Sequence, residues 1–464
     1  MSTKKSATTT TDEPAKQYYE DLEVYPEFER YQYRFYKDFA EEDGIKWAGS
    51  GWAYEALPEG LGDDVHFLAG EPYGAIIAYN EDISREFLNA ADAHGFPSEL
   101  CGYMVNYWGG LTKNKYVLPD GTTYDEFPDV DFNFTSHICC SHSKWYQMAS
   151  ELEGKHTDPD GEKTPFYAID IIGGKNAYTD EDIINYKVGQ MKEAVEWMEN
   201  VTDREFDDEQ FIEAAKNEMR SMSYWARAAA LQKNDPAPLE ERRMFTLYAP
   251  SIARRATDQS AELYEQLYDE VSDMAERNAT VTGEQQFRFI SDSPPPWAYL
   301  DIYRYLRENY GAVSVGSLYT HGLTGAWKGY DGGDSWDWDP LETPMERGIE
   351  IDDVETAMRE LVKWNLRRPS WDVFGSDLNT RKEITLQMVN EFDVDFMMVH
   401  LNRGCEGWAQ HQMEVSNYLK EHGVPVIEYE GNQADTRDFD PSELKAKIDA
   451  FMEGRFGVQA TDNN

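Results

Sequence analysis

Residues 394–427, VDFMMVHLNRGCEGWAQHQMEVSNYLKEHGVPVI, contain one complete repeating unit of a parallel sheet. The apolar run 394–401 predicts a buried strand, and 406–422 has the periodicity of a helix. Gly423 ends that helix, and 424–427 predicts the next strand. Strands that alternate with helices pack as parallel sheets with right-handed crossovers. This stretch therefore predicts an α/β fold.

The same alternation continues around this unit. Strands are predicted over 286–290 and 312–315, and helices over 297–309 and 441–452. Together these elements predict an α/β domain over 284–464. Within it, residues 319–376 are rich in Trp, Gly and Asp and have little periodicity, which predicts a structured loop over the sheet edge.

An earlier part of the chain, residues 61–180, predicts another α/β domain. Strands are predicted over 75–79, 132–140 and 166–172, and helices over 81–93 and 141–152. Residues 181–283 predict a helical segment, because apolar residues recur there at spacings of three and four.

The N-terminal part completes the predicted architecture. Residues 17–60 predict a helical extension whose aromatic stripe packs on the body, and residues 1–16 predict a disordered tail. The fold class expected is thus α/β, with two Rossmann-like parallel-sheet domains, a helical middle segment and an N-terminal helical extension.

Charge is the most unusual feature of the composition. The 464 residues include 88 acidic and 43 basic side chains, for a formal net charge of −45, spread along the whole chain. Such a field repels nucleic acid and anionic membrane surfaces, so neither is expected as a partner. An evenly acidic surface suits concentrated salt, where repulsion is screened within a few ångströms. We therefore expect a salt-adapted, halophilic source.

Several features predict a cytoplasmic protein. No stretch approaches the roughly 18 apolar residues that a membrane helix needs. Residues 1–14 have no apolar run, so they do not resemble a signal peptide. Four cysteines in so long a chain do not make a disulfide scaffold, and cytoplasmic thiols stay reduced.

Two cysteines share one local context. Cys140 and Cys405 each lie where a predicted strand ends and a helix begins, whereas Cys101 follows a turn that contains Pro97. Helix N-termini favour thiolate, which binds iron–sulfur clusters or zinc. There is no C-x-x-C pair and no ferredoxin spacing. The residues alone thus leave two interpretations open, a metal site with scattered ligands and a set of buried structural cysteines.

Four blocks of sequence resemble a known family. They are CGYMVNYWG at 101–109, HICCSHSKWYQ at 137–147, NRGC at 402–405, and a C-terminal block made of GVPV at 423–426 and EGNQADTR at 430–437. These blocks resemble the benzoyl-CoA reductase and 2-hydroxyacyl-CoA dehydratase family, over residues 60–455. The first two are most similar to the benzoyl-CoA reductase B-type subunit.

The resemblance implies a cofactor and its ligands. In this family three cysteines hold a [4Fe–4S] cluster, which implies Cys101, Cys405 and one of the pair Cys139 and Cys140. Cys140 is the favoured member, because Ser141 and Lys144 then follow the ligand at the family's offsets.

Other residues near these blocks are candidates with two interpretations each. His137, His142 and His400 flank the implied site, where each is a candidate proton donor or a hydrogen-bonded structural histidine. Arg403 is a candidate for orienting the cluster or a thioester, and a surface ion pair is the alternative. The glycine-rich stretches at 173–175 and 322–328 lack the spacing of a P-loop, so ATP is expected on another subunit.

The resemblance also implies a function. The predicted protein is the iron–sulfur subunit of an ATP-dependent benzoyl-CoA reductase that passes single low-potential electrons to an aromatic acyl-CoA. It would work with a homologous sister subunit and with ATP-hydrolysing activator subunits. A 2-hydroxyacyl-CoA dehydratase subunit, and a cluster-carrying partner without activity of its own, are the alternatives.

Overall fold

The computed structural model describes residues 18–157, 163–331, 333–375 and 378–461; the predicted tail, residues 1–16, lies outside them. Its strands are β1 (Tyr18–Tyr19), β2 (Ile45–Gly49), β3 (Val65–Ala69), β4 (Tyr116–Val117), β5 (Thr123–Tyr124), β6 (Phe132–Ser136), β7 (Phe166–Ile169), β8 (Ala279–Thr280), β9 (Phe287–Ser291), β10 (Ala312–Ser317), β11 (Trp327–Gly329), β12 (Asp337–Pro340), β13 (Phe396–Asn402) and β14 (Val426–Gly431).

The α-helices are α1 (Tyr25–Glu41), α2 (Ala56–Glu59), α3 (Gly70–Tyr79), α4 (Glu81–His94), α5 (Gly102–Lys113), α6 (His142–Thr157), α7 (Glu181–Thr202), α8 (Asp208–Ala230), α9 (Glu241–Tyr248), α10 (Pro250–Ala253), α11 (Asp258–Glu276), α12 (Asp301–Tyr310), α13 (Leu318–Gly322), α14 (Val354–Asn365), α15 (Pro369–Gly375), α16 (Leu378–Glu391), α17 (Glu406–Ala409), α18 (Gln412–Glu421) and α19 (Pro441–Phe456). Among the helices of the described ranges, none is both long and apolar enough to cross a membrane.

Two parallel four-stranded sheets confirm the predicted α/β class. The first has the strand order β3-β2-β6-β7, and the second β10-β9-β13-β14. Aromatic rings stack across neighbouring strands in both, with Trp47 on Phe67 at 3.7 Å between centroids and Phe289 on Phe396 at 5.0 Å. Both sheets are therefore built around buried aromatic pairs.

The helical segment predicted over 181–283 contains the long helices α7, α8 and α11 and the shorter α9 and α10. A buried ion network joins this segment to the first sheet region. Arg255 Nε lies 3.0 Å from Glu218 Oε1, and Arg255 Nη1 lies 3.6 Å from Glu55 Oε2. All three side chains are almost fully buried. Removing one partner would leave an uncompensated buried charge, which is strongly destabilising.

Three predicted elements are wrong or incomplete. Residues 75–79, predicted as a strand, lie in helix α3, because a short apolar run cannot distinguish a buried strand from a buried helix. Residues 319–376, predicted as a loop, contain a β11–β12 hairpin and the helices α14 and α15. The predicted helix 406–422 is interrupted where His411 has a positive φ of 63°.

The N-terminal segment also differs from a purely helical extension. It contains α1, as the aromatic stripe predicts, and also β2, which pairs with both β3 and β6. Residues 45–49 thus supply an interior strand of the first sheet. The carboxyl ends of the two sheets meet, and the loops that follow six of their strands surround one cavity.

Candidate functional site

A buried cavity lies where the carboxyl ends of the two sheets converge, as expected for ligand sites in open α/β sheets. The loops after β2, β3, β6, β9, β10 and β13 all contribute to its wall, and α5 and α9 complete it. Its lining includes Trp52, Glu71, Pro72, Cys101, Tyr103, Ile138, Cys139, Ser141, His142, Trp145, Tyr248, Pro294, Tyr319, Cys405, Glu406 and Trp408. Three of the four cysteines of the chain therefore face one enclosed space.

Each of these cysteines immediately precedes or closely approaches a helix N-terminus. Cys101 is the N-cap of α5, Cys405 is the N-cap of α17, and Cys139 lies in the turn before α6. Backbone N–H groups of the following helix approach each sulfur. The helix N-terminus predicted beside Cys405 is thus present, and Cys101 and Cys139 also lie at one, which the sequence analysis did not predict.

Hydrogen bonds join the three cysteine segments to one another. The Gly102 N–H donates to the Gly404 carbonyl at 3.1 Å, which ties the Cys101 segment to the Cys405 segment. The Ser141 hydroxyl donates to Glu406 Oε2 at 2.7 Å, which ties in the Cys139 segment. The relative positions of the thiols are therefore fixed by direct contacts between the loops.

The C-terminal block supports these loops from behind. Gln433 Nε2 donates to the Gly404 carbonyl at 2.7 Å and lies 3.8 Å from Cys101 Sγ. Asn432 Oδ1 accepts from two backbone N–H groups of its own turn, and a Cβ on Gly404 would lie 2.2 Å from that oxygen. Glycine is required at 404 because the loop packs directly on the Asn432 side chain.

The wall of the cavity has one buried charged network. His142 Nε2 is in contact with Glu71 Oε1, and both side chains are over 90% buried. Burial alone would lower the pKa of His142, but Cys139 and Glu71 raise it to about 10. Burial would raise the pKa of Cys139, but His142 and the N–H groups at the start of α6 lower it overall. Cys139 therefore favours thiolate beside an imidazolium.

Cys101 and Cys405 behave differently as free thiols. Burial raises the pKa of Cys101 to about 12, and burial together with the other two cysteines raises that of Cys405 well above its usual range. The helix N-termini lower both values, but burial outweighs them. Thiolate at these positions requires a cation, so a metal would displace their protons.

Comparison with known proteins identifies the family. The family model described as 2-hydroxyglutaryl-CoA dehydratase, D-component, matches residues 73–454. The chain belongs to this family.

Three relatives illustrate its range. The chain is 24% identical to the (R)-phenyllactyl-CoA dehydratase alpha subunit of Clostridium sporogenes, over 87% of this chain and 88% of that protein. It is 23% identical to the (R)-2-hydroxyisocaproyl-CoA dehydratase alpha subunit of Clostridioides difficile, over 87% and 89%. The B subunit of the benzoyl-CoA reductase of Thauera aromatica is 22% identical over 78% of each chain. These relatives confirm the predicted family and are mostly subunits of dehydratases.

The donor set fits the [4Fe–4S] cluster that family resemblance implies. Among the described residues, only Asp337, Asp339 and Glu391 bring three ligand atoms within 4.8 Å of one another, so at least one pair of the three cysteine sulfurs lies farther apart than that. Sulfur ligands of one tetrahedral zinc lie about 3.8 Å apart, given Zn–S bonds of about 2.3 Å. Cysteines that bind different irons of one cluster stand farther apart than the ligands of one zinc, and a spacing wider than 4.8 Å for at least one pair is compatible with a cluster.

The two members of the cysteine pair face different environments. Cys140, favoured as a ligand from the resemblance, is exposed and lines a separate surface groove with Leu100, Met104 and Lys144. Strand β6 ends at Ser136, so the alternation of side chains in a strand does not extend to residues 139 and 140. The structure groups Cys139 with the other two cysteines.

The three candidate histidines and Arg403 lie in the cavity wall, at the surface or in the core. His142 lines the cavity. His137 is at the surface, with Nδ1 3.6 Å from Asp170 Oδ1. His400 is buried against Tyr429 and bonds through Nδ1 to the Pro294 carbonyl, and burial lowers its pKa to about 4. The Arg403 side chain is exposed and outside the cavity lining.

Several lining residues were not predicted. Glu71 and Pro72 lie in the first turn of α3, of which residues 75–79 are predicted as a strand. Tyr103 and Trp408 lie within or next to the cysteine blocks, and that proximity is the one signal that could have identified them. Tyr319, in the segment predicted as a loop, shares a hydroxyl contact of 3.3 Å with Tyr103. The sequence offers no comparable signal for Tyr319.

Proposed function

We propose that this protein is the iron–sulfur subunit of an ATP-dependent (R)-2-hydroxyacyl-CoA dehydratase. The main support is the meeting of Cys101, Cys139 and Cys405 at one buried cavity at the carboxyl ends of both sheets. Similarity over most of the chain to dehydratase alpha subunits favours this reaction over the aromatic reduction that the motifs suggest. The B subunit of benzoyl-CoA reductase is the comparison that supports the competing hypothesis.

The proposed ligands are Cys101, Cys139 and Cys405. This choice replaces Cys140 by Cys139, because Cys139 shares the cavity with the other thiols and Cys140 does not. When bound, the cluster supplies a single low-potential electron that dehydration returns, so the reaction has no net redox change.

The chain's own residues would bind and orient the thioester and exclude water. Trp52, Trp145 and Trp408 give the cavity apolar walls, which keep water away from reactive groups. The hydroxyls of Tyr103 and Tyr319 line the same wall and can donate hydrogen bonds to a thioester carbonyl oxygen.

Dehydration breaks the C–O bond at the α-carbon and a C–H bond at the β-carbon, and the proton joins the leaving hydroxyl to form water. In the structure, His142 Nε2 is in contact with Glu71 Oε1 inside the cavity. The proposed role of this pair is to deliver that proton to the leaving hydroxyl.

The proposed assembly has further members. A homologous sister subunit is supported by the relatives, which are themselves named alpha subunits. ATP hydrolysis and electron delivery are assigned to separate activator subunits. A cytoplasmic location is proposed because low-potential clusters and free thiols need a reducing compartment.

The test is turnover by the co-purified subunits under strict anaerobiosis. The complex is incubated with ATP, a low-potential reductant and either benzoyl-CoA or an (R)-2-hydroxyacyl-CoA, with (R)-phenyllactyl-CoA as the first choice. We expect the unsaturated acyl-CoA from the hydroxyacyl substrate, detected by mass spectrometry, and no product without ATP. A dearomatised product would establish the reductase hypothesis instead. Iron-loaded protein inactive on both substrates would indicate a cluster-carrying partner.

A further inference from the structure

Arg368 is a fully buried arginine that lies directly behind the wall of the cysteine-lined cavity. Its Nε donates to the Leu323 carbonyl at 2.7 Å, and its Cζ lies 5.6 Å from the centre of the Trp52 ring. Leu323 and Trp52 both line the cavity. A single layer of residues therefore separates the guanidinium of Arg368 from that space.

The charge of Arg368 has no direct counter-ion. Its hydrogen bonds go to three uncharged oxygens, the carbonyls of Gly51 and Leu323 and Oδ1 of Asn365. Burial, and then the charge of Arg255, lower the pKa of Arg368, but an arginine keeps its proton in proteins. A buried cation without a paired anion costs folding free energy, so we looked for what this charge does at the site.

The neighbouring carboxylates do not balance it. Asn365, which accepts from Arg368 Nη1 at 3.2 Å, donates to Glu218 Oε1 at 3.0 Å. That oxygen is already 3.0 Å from Arg255 Nε. Burial raises the pKa of Glu55, the other acid of this ion network, to about 8, so Glu55 is mostly protonated at neutral pH. Two arginines thus share one ionised carboxylate, and the network has an excess of positive charge.

The backbone of Gly51 links this network to the cavity. Its carbonyl accepts from Arg255 Nη1 at 3.0 Å and from Arg368 Nη1 at 3.4 Å. Its N–H donates to Glu71 Oε2 at 3.2 Å. Glu71 is itself paired with His142, so it is not a free counter-ion for Arg368. The field of the buried guanidinium therefore extends into the cavity.

The cavity itself offers no cation from lysine or arginine. Its described lining contains the carboxylates Glu71 and Glu406 and neither of those basic residue types. Charges interact more strongly where apolar walls exclude water, because the local dielectric constant is low. A fixed positive charge one layer behind such a wall can therefore stabilise negative charge that arises inside.

We propose that Arg368 is an electrostatic residue of the site, whose fixed positive charge stabilises an electron that enters the cysteine-lined cavity. A positive charge favours the reduced, more negative form, so Arg368 raises the reduction potential of the cluster proposed there. Negative charge on a thioester oxygen is stabilised in the same way. This inference rests on the proposed function, because it assumes that an electron enters this cavity.

Reduction potentials of the anaerobically purified, iron-loaded protein test the proposal, by redox titration followed by EPR. Arg368→Gln and Arg368→Lys both lose the guanidinium contacts, but only Arg368→Gln removes the charge. Arg368→Gln should lower the potential, and Arg368→Lys should keep it close to that of the unmodified protein. A purely structural role would affect both variants alike, so equal potentials in the two overturn the proposal.

A further substitution covers the case in which Arg368→Gln does not fold. Citrulline at position 368 keeps the shape of arginine without its charge, and it should lower the potential in the same way. An unchanged potential in the citrulline protein overturns the proposal.

The matched control is Arg288→Gln. Arg288 is also buried and donates to backbone carbonyls, those of Gln232, Asn234 and Phe392, but it lies outside the cavity lining. Its replacement should cost stability without changing the potential. A potential lowered as much by Arg288→Gln as by Arg368→Gln would show that loss of any buried arginine has this effect, and would overturn the proposal.

Iron-free protein separates this inference from the proposed function. In a Cys140→Ser background, cyanylation of Cys139 places a nitrile in the cavity, and its infrared stretching frequency reports the local electric field. Arg368→Gln should shift this frequency, whereas Arg368→Lys and Arg288→Gln should not. Protein that binds no iron but shows this shift refutes the proposed function and retains the field of Arg368. An unchanged frequency, or a potential insensitive to the charge at 368, refutes this inference alone.

Discussion

Cys139 and Cys140 are adjacent in the chain, yet the first lies beside His142 in the cavity and the second faces solvent. Both lie in the turn after β6, beyond the strand in which side chains alternate from face to face. Of these two adjacent thiols, only Cys139 therefore faces the cavity proposed to hold the cluster. The second is left available at the surface, next to the Ser141 to Glu406 contact.

Replacing each cysteine in turn distinguishes the two. Cys139→Ser should lose most of the iron, because serine oxygen is a poor ligand for iron in a cluster, whereas Cys140→Ser should keep it. Iron content and the low-temperature EPR signal of anaerobically purified variants give the answer. The opposite pattern would restore Cys140 as the ligand, and full iron in both, and also in Cys101→Ser and Cys405→Ser, would show that the cysteines are structural.

Gly404 allows a test of the loop scaffold. In Gly404→Ala, the new Cβ would approach Asn432 Oδ1, which two backbone N–H groups hold in place, so one of the loops must shift. We expect a loss of about 1–3 kcal/mol in unfolding free energy and a lower iron content. Chemical denaturation and iron analysis measure both effects.

The control for this substitution is Gly454→Ala in α19. A Cβ there meets nothing within 4 Å, and alanine is favoured over glycine within a helix by about 1 kcal/mol. It should therefore be neutral or stabilising. A Gly404→Ala protein as stable and as iron-rich as the unmodified one would contradict the packing argument.

At the scale of elements, helix α9 is anchored through its first residue. Glu241 is fully buried and faces the second sheet. Hydroxyls of Ser291 and Ser314 donate to the Glu241 carboxylate at 3.0 and 2.5 Å. The helix is thus fixed at its N-terminus by a polar contact to β9 and β10.

The buried carboxyl of Glu241 predicts a pH dependence. Burial raises its pKa from 4.5 to about 7, despite the hydrogen bonds from the serines, which lower it. Between these two values the folded state holds a proton that the unfolded state has released. The stability that Glu241 contributes is therefore fully present below about pH 4.5 and is lost as the pH rises through 7.

Glu241→Gln should remove this dependence. Relative to the unmodified protein, the variant should become progressively more stable between pH 4.5 and pH 8, as measured by thermal unfolding at several pH values. Glu262→Gln, an exposed change of the same charge on α11, should show no such trend. A constant difference between Glu241→Gln and the unmodified protein would refute the assignment.

On the scale of the whole molecule, the net charge of −45 should make stability depend on salt. Repulsion among the acidic side chains opposes the compact state, and about 1 M salt screens it within about 3 Å. We expect the unfolding temperature to rise steadily from low to molar KCl. An unchanged midpoint would show that the acidity has another cause.

A variant with fewer negative charges tests whether salt stabilises the protein by screening repulsion between acidic side chains. Glu262, Asp269 and Glu276 are exposed residues of α11, and replacing them with Gln, Asn and Gln removes three negative charges without touching the core. This variant should reach a given stability at lower KCl. Identical salt curves would mean that ions act on the protein by a route other than screening.

Local periodicity in the sequence is enough to predict the four strands of the second sheet, the strands β6 and β7 of the first sheet, and the helical middle segment. It did not identify β2 and β3. Each predicted feature depends on about ten neighbouring residues, as the apolar strand and Gly423 show in residues 394–427. The family motifs indicate that the cysteines, which are far apart in the sequence, belong to one site. The short apolar run 75–79 was predicted wrongly, because five apolar residues fit a buried helix and a buried strand equally well.

Tertiary packing was needed to find the walls of the site and the third cysteine. Trp52, Glu71, Tyr248 and Tyr319 come from segments far apart in the chain, and no local pattern relates them. Whether Cys139 or Cys140 faces the cavity depends on how the turn after β6 packs against the Cys405 segment. Periodicity records which side of an element is apolar, whereas the contents of a cavity depend on how distant elements pack together.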